Sequence, residues 1–312
     1  VMVPFVIKAL TPFPFKFCLL HPGMAEVGKT IIPAMLGAAT FQINVMAASF
    51  FASVLTEGSV SFLYYSDRLV QFPLALFGGA FSAVLLPFLS KEAVSKQLDQ
   101  VSTVFENGVC LVMFITIPAM AGLMALSHPL VMLFFNQGAF GAQAVSHTAA
   151  CLNCLVLGLW AFAGTRLFVT LHYALSNIWY PFFAGIVTIA VNVVLCLMLV
   201  GSMGYQGLAL AVSLSGGAGF FFLFFKLPKG MYLSRIRILV SACRAVLVSG
   251  IMVFPVGWTA GWLVDAGTGR LGMGLGVLGC VCMGMAIVFG MAVLIKAPEI
   301  TLIKELIIHK RP

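Results

Sequence analysis

Long stretches without any charged residue constrain this chain more than any other feature. Residues 107–165 and 167–225 each run for 59 positions without Asp, Glu, Lys or Arg. A helix needs about 20 apolar residues to cross the hydrocarbon core of a bilayer, so each of these runs has room for two spans. Four shorter charge-free runs, of 20 to 27 residues, add one span each. The pattern predicts an all-α polytopic membrane protein with about eight transmembrane helices.

Helices are favoured over transmembrane β-strands because the apolar runs do not alternate polar and apolar residues at every second position. The predicted spans are 30–54, 59–90, 103–127, 143–171, 179–200, 206–225, 238–263 and 271–295. Residues 1–17 have the composition of the end of a further span, and Val1 is not an initiator. We therefore expect the natural start of the chain to lie upstream.

The overall composition supports the same class. Of the 312 residues only 26 are charged, which is 8%, whereas a soluble domain carries about 25%. This composition excludes a soluble enzyme, a nucleic-acid-binding domain and a disordered tail. The net charge of +8 therefore does not indicate a nucleic-acid partner; the basic segments are expected to face anionic membrane lipids.

The positive charges predict the orientation of the spans. With eight spans both ends of the chain lie on one side of the membrane. In the loops on the opposite side the only positively charged residue is Arg270. Such an asymmetry predicts that the basic side, with both chain ends, is cytoplasmic. The basic side carries Lys8, Lys16, Lys29, Lys91, Lys96, Lys226, Lys229, Arg235, Arg237, Lys296, Lys304, Lys310 and Arg311.

Residues that would support enzymatic chemistry are not arranged in the sequence as that chemistry requires. There is no P-loop, no Ser-His-Asp arrangement and no pair of carboxylates, so we predict a transporter without a cofactor rather than an enzyme. Cys151 and Cys154 form a CxxC, which we interpret as small apolar residues in a helix rather than as a metal or redox site.

Arg68 is the charged residue that lies deepest in a predicted span. A helix that begins near Ser59 carries Arg68 about 14 Å along its axis, close to the bilayer midplane, where a charge must face protein or an aqueous cavity. Helical spacing places Tyr64 and Tyr65 beside it. Two interpretations remain open: an ion pair with Asp67 or a contact with a neighbouring carbonyl, and a cavity-facing guanidinium that binds a phosphate bidentately.

Arg166 and Asn192 are two further polar residues of the spans. Arg166 separates the two 59-residue runs near the predicted inner end of its helix, where it would snorkel to the interface or lie at the inner mouth of a cavity. Asn192 lies in the middle of a span, four residues after Thr188, and interhelical hydrogen bonding is its default interpretation. It is also a weak candidate for a cation site, although the nearby sequence offers too few oxygen ligands.

Two GxxxG pairs lie in the last two spans, Gly257–Gly261 and Gly272–Gly276. Small residues at this spacing let helices approach closely, so we predict that both pairs are packing faces between these spans.

Several blocks of the sequence are specific enough to be compared with a known family. The most specific block is Gly58-Ser59-Val60-Ser61-Phe62-Leu63-Tyr64-Tyr65-Ser66-Asp67-Arg68-Leu69, followed by Phe72-Pro73. Other blocks are Gln42-Ile43-Asn44, Leu85-Leu86-Pro87-Phe88-Leu89-Ser90, Phe134-Phe135-Asn136-Gln137-Gly138-Ala139-Phe140, Tyr173-Ala174-Leu175 and Gly207-Leu208-Ala209-Leu210-Ala211-Val212-Ser213. In this order, from about residue 20 to 225, the blocks resemble the MurJ (MviN) family of lipid II flippases, which belongs to the multidrug/oligosaccharidyl-lipid/polysaccharide exporter superfamily.

The resemblance implies an organisation for the chain. The family has two six-helix lobes and two extra helices, and this chain resembles the C-terminal lobe and the extra pair. The implied segments are a truncated helix and linker (1–29), the lobe (30–225), a basic loop (226–237), two helices that form a groove for a lipid tail (238–295) and a basic cytoplasmic tail (296–312).

The resemblance also implies a role for Arg68, which matches an essential cavity arginine and would contact the pyrophosphate of lipid II. Some family members have carboxylates of a possible cation site at the positions of Ala48 and Cys196, so this sequence departs from them there. The N-terminal lobe is absent from the sequence, and we expect that the chain alone does not flip lipid.

Two other kinds of function remain open. One is the export of another lipid-linked oligosaccharide, or multidrug antiport, by the same superfamily fold. The other is a membrane scaffold for cell-wall enzymes that transports nothing, in which case Arg68 would be dispensable.

Overall fold

A computed structural model describes residues 22–94, 98–138, 140–228, 230–265 and 269–299. Every regular element in these ranges is helical, as predicted. The elements are α1 (Pro22–Ser53), α2 (Ser59–Pro73), a π-helical segment (Leu74–Gly79), α3 (Ala80–Val94), α4 (Leu98–Ala125), α5 (Ser127–Phe135), α6 (Ala142–Val156), α7 (Leu159–Ala174), α8 (Trp179–Phe225), α9 (Arg235–Asp265) and α10 (Arg270–Leu294). Most of the predicted N-terminal remnant and of the basic tail lies outside the described residues.

The number of membrane spans differs from the prediction. Among the described residues five helices are long and apolar enough to cross a bilayer, or six if the bent pair α6 and α7 is taken as one span. The five are α4, α8, α9, α10 and the continuous run from Ser59 to Pro87. The count of about eight is therefore not confirmed, partly because α8, which contains two predicted spans, counts once.

The geometry of α8 nevertheless shows that it folds back on itself. A straight helix of its 47 residues would extend about 70 Å, more than twice the thickness of a hydrocarbon core. Gly204, with φ 56° and ψ −134°, interrupts the helical conformation. A Cβ atom built on Gly219 would overlap the Thr188 hydroxyl, 31 positions earlier. The element is thus two antiparallel helices, α8a (residues 179–203) and α8b (residues 205–225), divided where the sequence predicted.

The predicted span 143–171 is bent at Gly158, where α6 and α7 meet at 44°. A Cβ atom on Gly158 would lie 2.8 Å from the Cα atom of Ser213, so only glycine allows α8b to approach this closely. The Ser213 hydroxyl lies 2.8 Å from the carbonyl oxygens of Cys154 and Leu155 and donates to them. The bend is therefore stabilised because its freed carbonyls have a donor.

Helix α4 lies at the centre of the described bundle. In its most hydrophobic stretch of 18 residues 56% is buried, whereas the same measure is 22% for α8 and for α10. Phe105 of α4 packs edge-to-face on Phe168 of α7, with ring centroids 5.0 Å apart, and both rings are fully buried. On its other side α4 contacts α9, and α10 packs mainly on α9. The last two helices are thus attached to the bundle through α4.

A polar contact anchors α9 at its first turn. The Glu106 carboxylate of α4, which is 8% exposed, accepts hydrogen bonds from the Ser234 backbone N–H at 2.7 Å and from the Arg237 guanidinium at 3.1 Å. The carboxylate therefore compensates both a free helix-end N–H and a cation.

The prediction for the GxxxG pairs is correct in part. A Cβ atom on Gly276 of α10 would overlap Leu263 of α9, so this glycine does lie in the interface of the last two helices. Gly257 and Gly261 instead have open space where a Cβ atom would be, so the packing prediction is wrong for that pair. The face of α9 that contacts α10 uses larger residues, such as Met252 and Val256, which approach Gly284.

Candidate substrate-binding site

The site is organised by a break in the helix that carries Arg68. Pro73 ends α2, and residues 74–79 continue as one π-helical segment before α3 begins. Proline has no N–H to donate, and a π segment widens the turn, so carbonyl groups of this helix are released from the regular ladder. Gly78 and Gly79 end the segment and allow another helix to lie against the backbone there.

Arg68 lies on the exposed side of α2. Its guanidinium carbon lies 4.7 Å from the centroid of the Tyr64 ring, in a cation–π contact, and its Nη1 donates to Gln71 Oε1 at 3.4 Å. The Gln71 amide in turn donates to the Asp67 carboxylate. Gln71 therefore links the two charged residues, and Arg68 makes no ion pair with Asp67 or with another carboxylate of the described residues.

Tyr65 has a different position from Tyr64. Its ring packs on Phe135 at 4.5 Å and on Phe140 at 5.3 Å between centroids, at the end of α5. Tyr65 is half-buried, whereas Tyr64 is 53% exposed and remains on the side of Arg68. Of the two tyrosines, only Tyr64 contacts the guanidinium.

A cavity of about 530 Å³ lies on the other side of α2, between α1, α7 and α8. Its wall is largely apolar, with a polar part that includes Asn44, Asp67, Gln71, Thr165 and Arg166. The Asn44 Oδ1 and Thr165 Oγ1 atoms have no hydrogen-bond partner among the described residues. Arg68, Tyr64 and Tyr65 do not line this cavity, so the predicted site residues occupy two surfaces of the same helix break.

Arg166 lies in α7, eight residues before the end of that helix, and lines the cavity. Its Nη1 donates to the carbonyl oxygen of Leu74 at 3.3 Å, in the π-helical segment. Its side chain passes along the glycines of that segment, because a Cβ atom on Gly78 would lie 3.3 Å from Arg166 Cδ. Of its five N–H groups only one is engaged by the described residues, so the others can bind an anion.

Asn192 is fully buried and does not line the cavity. Its side-chain N–H donates to the backbone oxygen of Asn44 at 3.4 Å, and its Oδ1 lies 3.5 Å from Cys196 Sγ, which donates to it. The bond to Asn44 joins α8a to α1, which is the interhelical role that the sequence predicted, whereas the bond from Cys196 lies within α8a. Ala48, one turn beyond Asn44, is also buried and supplies no oxygen ligand from its side chain.

Two features of the site are not among the predicted binding residues: Gln71 as the link between Asp67 and Arg68, and Asn44 in the cavity wall. Gln71 is identifiable from helical spacing, three and four residues from its partners. Asn44 is not, because its position depends on how α1 packs against α8a.

Comparison with known proteins agrees with this architecture. A family model described as lipid II flippase MurJ matches residues 1–266. The probable lipid II flippase MurJ of Vibrio cholerae is 38% identical over 68% of this chain and 41% of its own length. The corresponding protein of Rhizobium meliloti is 30% identical over 93% of this chain and 55% of its own. This chain thus spans about half the length of the curated relatives it matches.

Solved structures show the same fold. The inward closed conformation of lipid II flippase MurJ superposes with a TM-score of 0.74 at 24% identity, over 96% of this chain and 60% of that one. A MATE structure in complex with MaL6 superposes with a TM-score of 0.54 at 16% identity, over 86% and 64%. Together with the family model, which covers most of the sequence, these matches show that this multi-pass membrane chain belongs to the MurJ lipid II flippase family.

Proposed function

We propose that this chain is the C-terminal portion of a lipid II flippase that works by alternating access. The observation that carries the proposal is Arg68, an exposed cation about nine residues along a candidate membrane-spanning helix, without an ion-pair partner among the described residues. Hydrocarbon would not tolerate such a charge, so in the working transporter this side of α2 faces protein or water. An anionic head group is the chemistry that an unpaired guanidinium recognises.

The surface that covers Arg68 is expected to be the N-terminal lobe of the same transporter. Tyr64 and Phe72, on the same side of α2 as Arg68, are 53% and 75% exposed, so this face has no partner within the described residues. The curated relatives are about twice as long as the region that matches this chain, which leaves room for an additional lobe. The head group of lipid II would then bind between the two lobes.

Arg68 would hold the pyrophosphate of lipid II in this arrangement. Tyr64 lies under the Arg68 guanidinium, and Gln71, its other neighbour, is held by Asp67. The guanidinium is therefore oriented before the ligand binds, which lowers the entropic cost of binding. Arg166 provides a second cation on the cavity side of the break. Moving the charged head group across the membrane potential involves about 2.3 kcal/mol per charge per 100 mV, which can drive transport without ATP.

The lipid tail would remain in the bilayer beside the last two helices. Phe254 and Trp258 of α9 and Leu271 of α10 are each more than 80% exposed, which suits a surface in contact with hydrocarbon chains. We accordingly assign residues 30–225 to the lobe and 238–295 to the tail-binding pair. We also assign the chain to the bacterial inner membrane, where a lipid II flippase would work, and place both of its ends in the cytoplasm because the basic residues are in excess on that side.

The experiment is a measurement of the external accessibility of lipid II head groups in cells depleted of their own flippase. The chain is supplied alone, and then together with a matching N-terminal lobe. We expect restored accessibility only when both parts are present, and loss of that rescue with Arg68→Ala.

Arg235→Ala is the matched control, because Arg235 also lies over an aromatic ring, 5.5 Å from the centroid of Phe225, but at the start of α9. It should retain rescue. If both parts insert stably and still give no rescue, another lipid-linked substrate or a scaffold role becomes the better explanation. Full rescue by Arg68→Ala and Arg68→Lys would contradict the assignment of Arg68.

A further inference from the structure

The hydrogen bond between Arg166 and the π-helical segment is placed where it can hold α2 in one orientation, and we call this bond the latch. Arg166 reaches from α7 to the Leu74 carbonyl, and its aliphatic part lies against Gly78, where any side chain would crowd it. π-Helical segments inside α-helices are rare and are frequently found at functional sites. This one separates α2, with Arg68, from α3, and Arg166 is the side chain that bonds to it from another helix.

Conversion of this segment to α-helix would turn α2 about its own axis. An α-helix advances about 100° per residue, whereas the wider turn of a π-helix advances roughly 80°. Over six residues the difference is roughly 110°, close to the angle between neighbouring residues of an α-helix. With α3 held in place, each residue of α2 would take the direction now taken by the residue before it. Arg68 would then point where Asp67 points now, into the cavity.

We infer that the hydrogen bond from Arg166 to Leu74 holds α2 in the orientation seen here, and that an anionic phosphate ligand drawing Arg166 away from Leu74 lets the segment become α-helical and turns Arg68 into the cavity. The inference rests on the proposed function for the identity of the ligand, though not for the latch itself. Arg166 is thus a positioning residue for Arg68 as well as a cation of the cavity wall.

The charges explain why a ligand is needed for this change. In the rotated state two guanidinium groups would face the same cavity and repel each other, which disfavours that state when the cavity holds no anion. A pyrophosphate has enough oxygen atoms to accept hydrogen bonds from both guanidinium groups. When it is bound, attraction to the ligand replaces the repulsion between the two arginines. A ligand that binds one state better than the other shifts the equilibrium by that difference, so binding and rotation are coupled.

Two adjacent positions near the start of α2 report the rotation. Val60 is exposed and would move to the direction of Ser59, which is 1% exposed, whereas Ser61 would move to the exposed direction of Val60. We would introduce Val60→Cys or Ser61→Cys into the chain without its native cysteines, place it in lipid nanodiscs and measure alkylation by a charged maleimide. The probes are undecaprenyl pyrophosphate and, as a control without phosphate, undecaprenol.

In the parent we expect undecaprenyl pyrophosphate to slow alkylation of Val60→Cys about tenfold and undecaprenol to leave it unchanged. Arg166→Met, which removes the donor and the repulsion, should raise the ratio of the rotated state to the state seen here by the roughly tenfold that a charge-assisted hydrogen bond contributes to an equilibrium. Because the rotated state is the minor one in the parent, this change should slow Val60→Cys without any ligand by about twofold to fivefold, which is less than the ligand does. Arg166→Lys, which can still donate to Leu74, should react like the parent. Ser61→Cys should react at the same rate in every case.

Equal rates for Val60→Cys in the parent and in a folded Arg166→Met protein would overturn the latch. If Arg166→Met does not fold, Gly78→Ala weakens the same contact by crowding Arg166, and Gly79→Ala, whose Cβ atom would lie 3.9 Å from Arg166 Nη1, is its control. A slow Val60→Cys in Arg166→Met, combined with no effect of undecaprenyl pyrophosphate on the parent, would support the latch and count against the proposed phosphate ligand alone.

Discussion

Two arginines of this chain lie beside carboxylates, and their surroundings differ. Arg237, at the start of α9, forms an ion pair with the buried Glu106 at 3.1 Å, and a backbone N–H completes the contact. Arg68, within α2, has Asp67 next to it in sequence, yet that carboxylate accepts from Gln71 instead. The Arg237 guanidinium is thus neutralised by a contact that stabilises the fold, whereas the Arg68 guanidinium remains available to a ligand. A charge in an apolar helix thus indicates function only when the structure does not neutralise it.

The largest effect is expected for Arg68→Ala on transport. Loss of a bidentate, charge-assisted contact to a phosphate should lower the flipping rate by about a hundredfold or more. The melting temperature should remain unchanged, because Arg68 is exposed and its polar contacts within the described residues are those with Tyr64 and Gln71, on its own helix. The checks are the head-group accessibility assay and thermal unfolding in detergent. A clear drop in melting temperature would place Arg68 in the same class as Arg237.

Glu106→Ala should have the opposite profile. It removes the acceptor of two hydrogen bonds and leaves the Ser234 N–H and the Arg237 guanidinium without their partner, so the free energy of unfolding should fall by about 2 kcal/mol. Glu106→Gln, which keeps an acceptor oxygen but not the charge, should lose less than Glu106→Ala. Equilibrium unfolding in mixed micelles measures both, and equal losses would show that the stabilisation comes from the charge and that a neutral acceptor oxygen cannot replace it.

The sequence was sufficient for the class of fold and for the boundaries that depend on local signals. The charge-free runs identify the apolar helices, and the boundary in α8 follows from a small polar segment around Gly204. The number of spans remained uncertain, because a hairpin and a bent pair depend on contacts between helices. Gly158 shows why: its role depends on Ser213, which lies 55 positions away.

The site was predictable to a similar extent. Arg68 and Tyr64 share a helix, and their contact follows from i to i+4 spacing. The position of Arg166 could not be predicted, because it depends on a π-helical segment 92 positions earlier in the chain. The pair Gly78–Gly79 after Pro73 is compatible with a helix break, but it does not specify which side chain from another helix would occupy the space.

Asn192→Ala tests whether a buried polar residue in a span serves the fold or an ion. Its bond to the Asn44 oxygen connects α8a to α1, its bond from Cys196 lies within α8a, and neither partner is a carboxylate. We expect the free energy of unfolding to fall by about 1–2 kcal/mol. The melting temperature of the parent should be the same in sodium and potassium salts, and a sodium-specific increase that Asn192→Ala abolishes would instead indicate a cation site.

The smallest expected effect compares two buried serines of α8b. Ser213 crosses to α6 and donates to the Cys154 and Leu155 carbonyls, whereas Ser215 donates to Val212 within its own helix. Ser213→Ala removes the hydroxyl donor from both carbonyls, of which Leu155 also accepts from the Gly158 N–H, and should lower the free energy of unfolding by about 1 kcal/mol. Ser215→Ala should lower it by less, since the Val212 carbonyl lies within the continuous helical ladder of α8b. Thermal unfolding of the two variants side by side decides the matter, because equal losses would mean that the bend between α6 and α7 does not need the hydroxyl of Ser213.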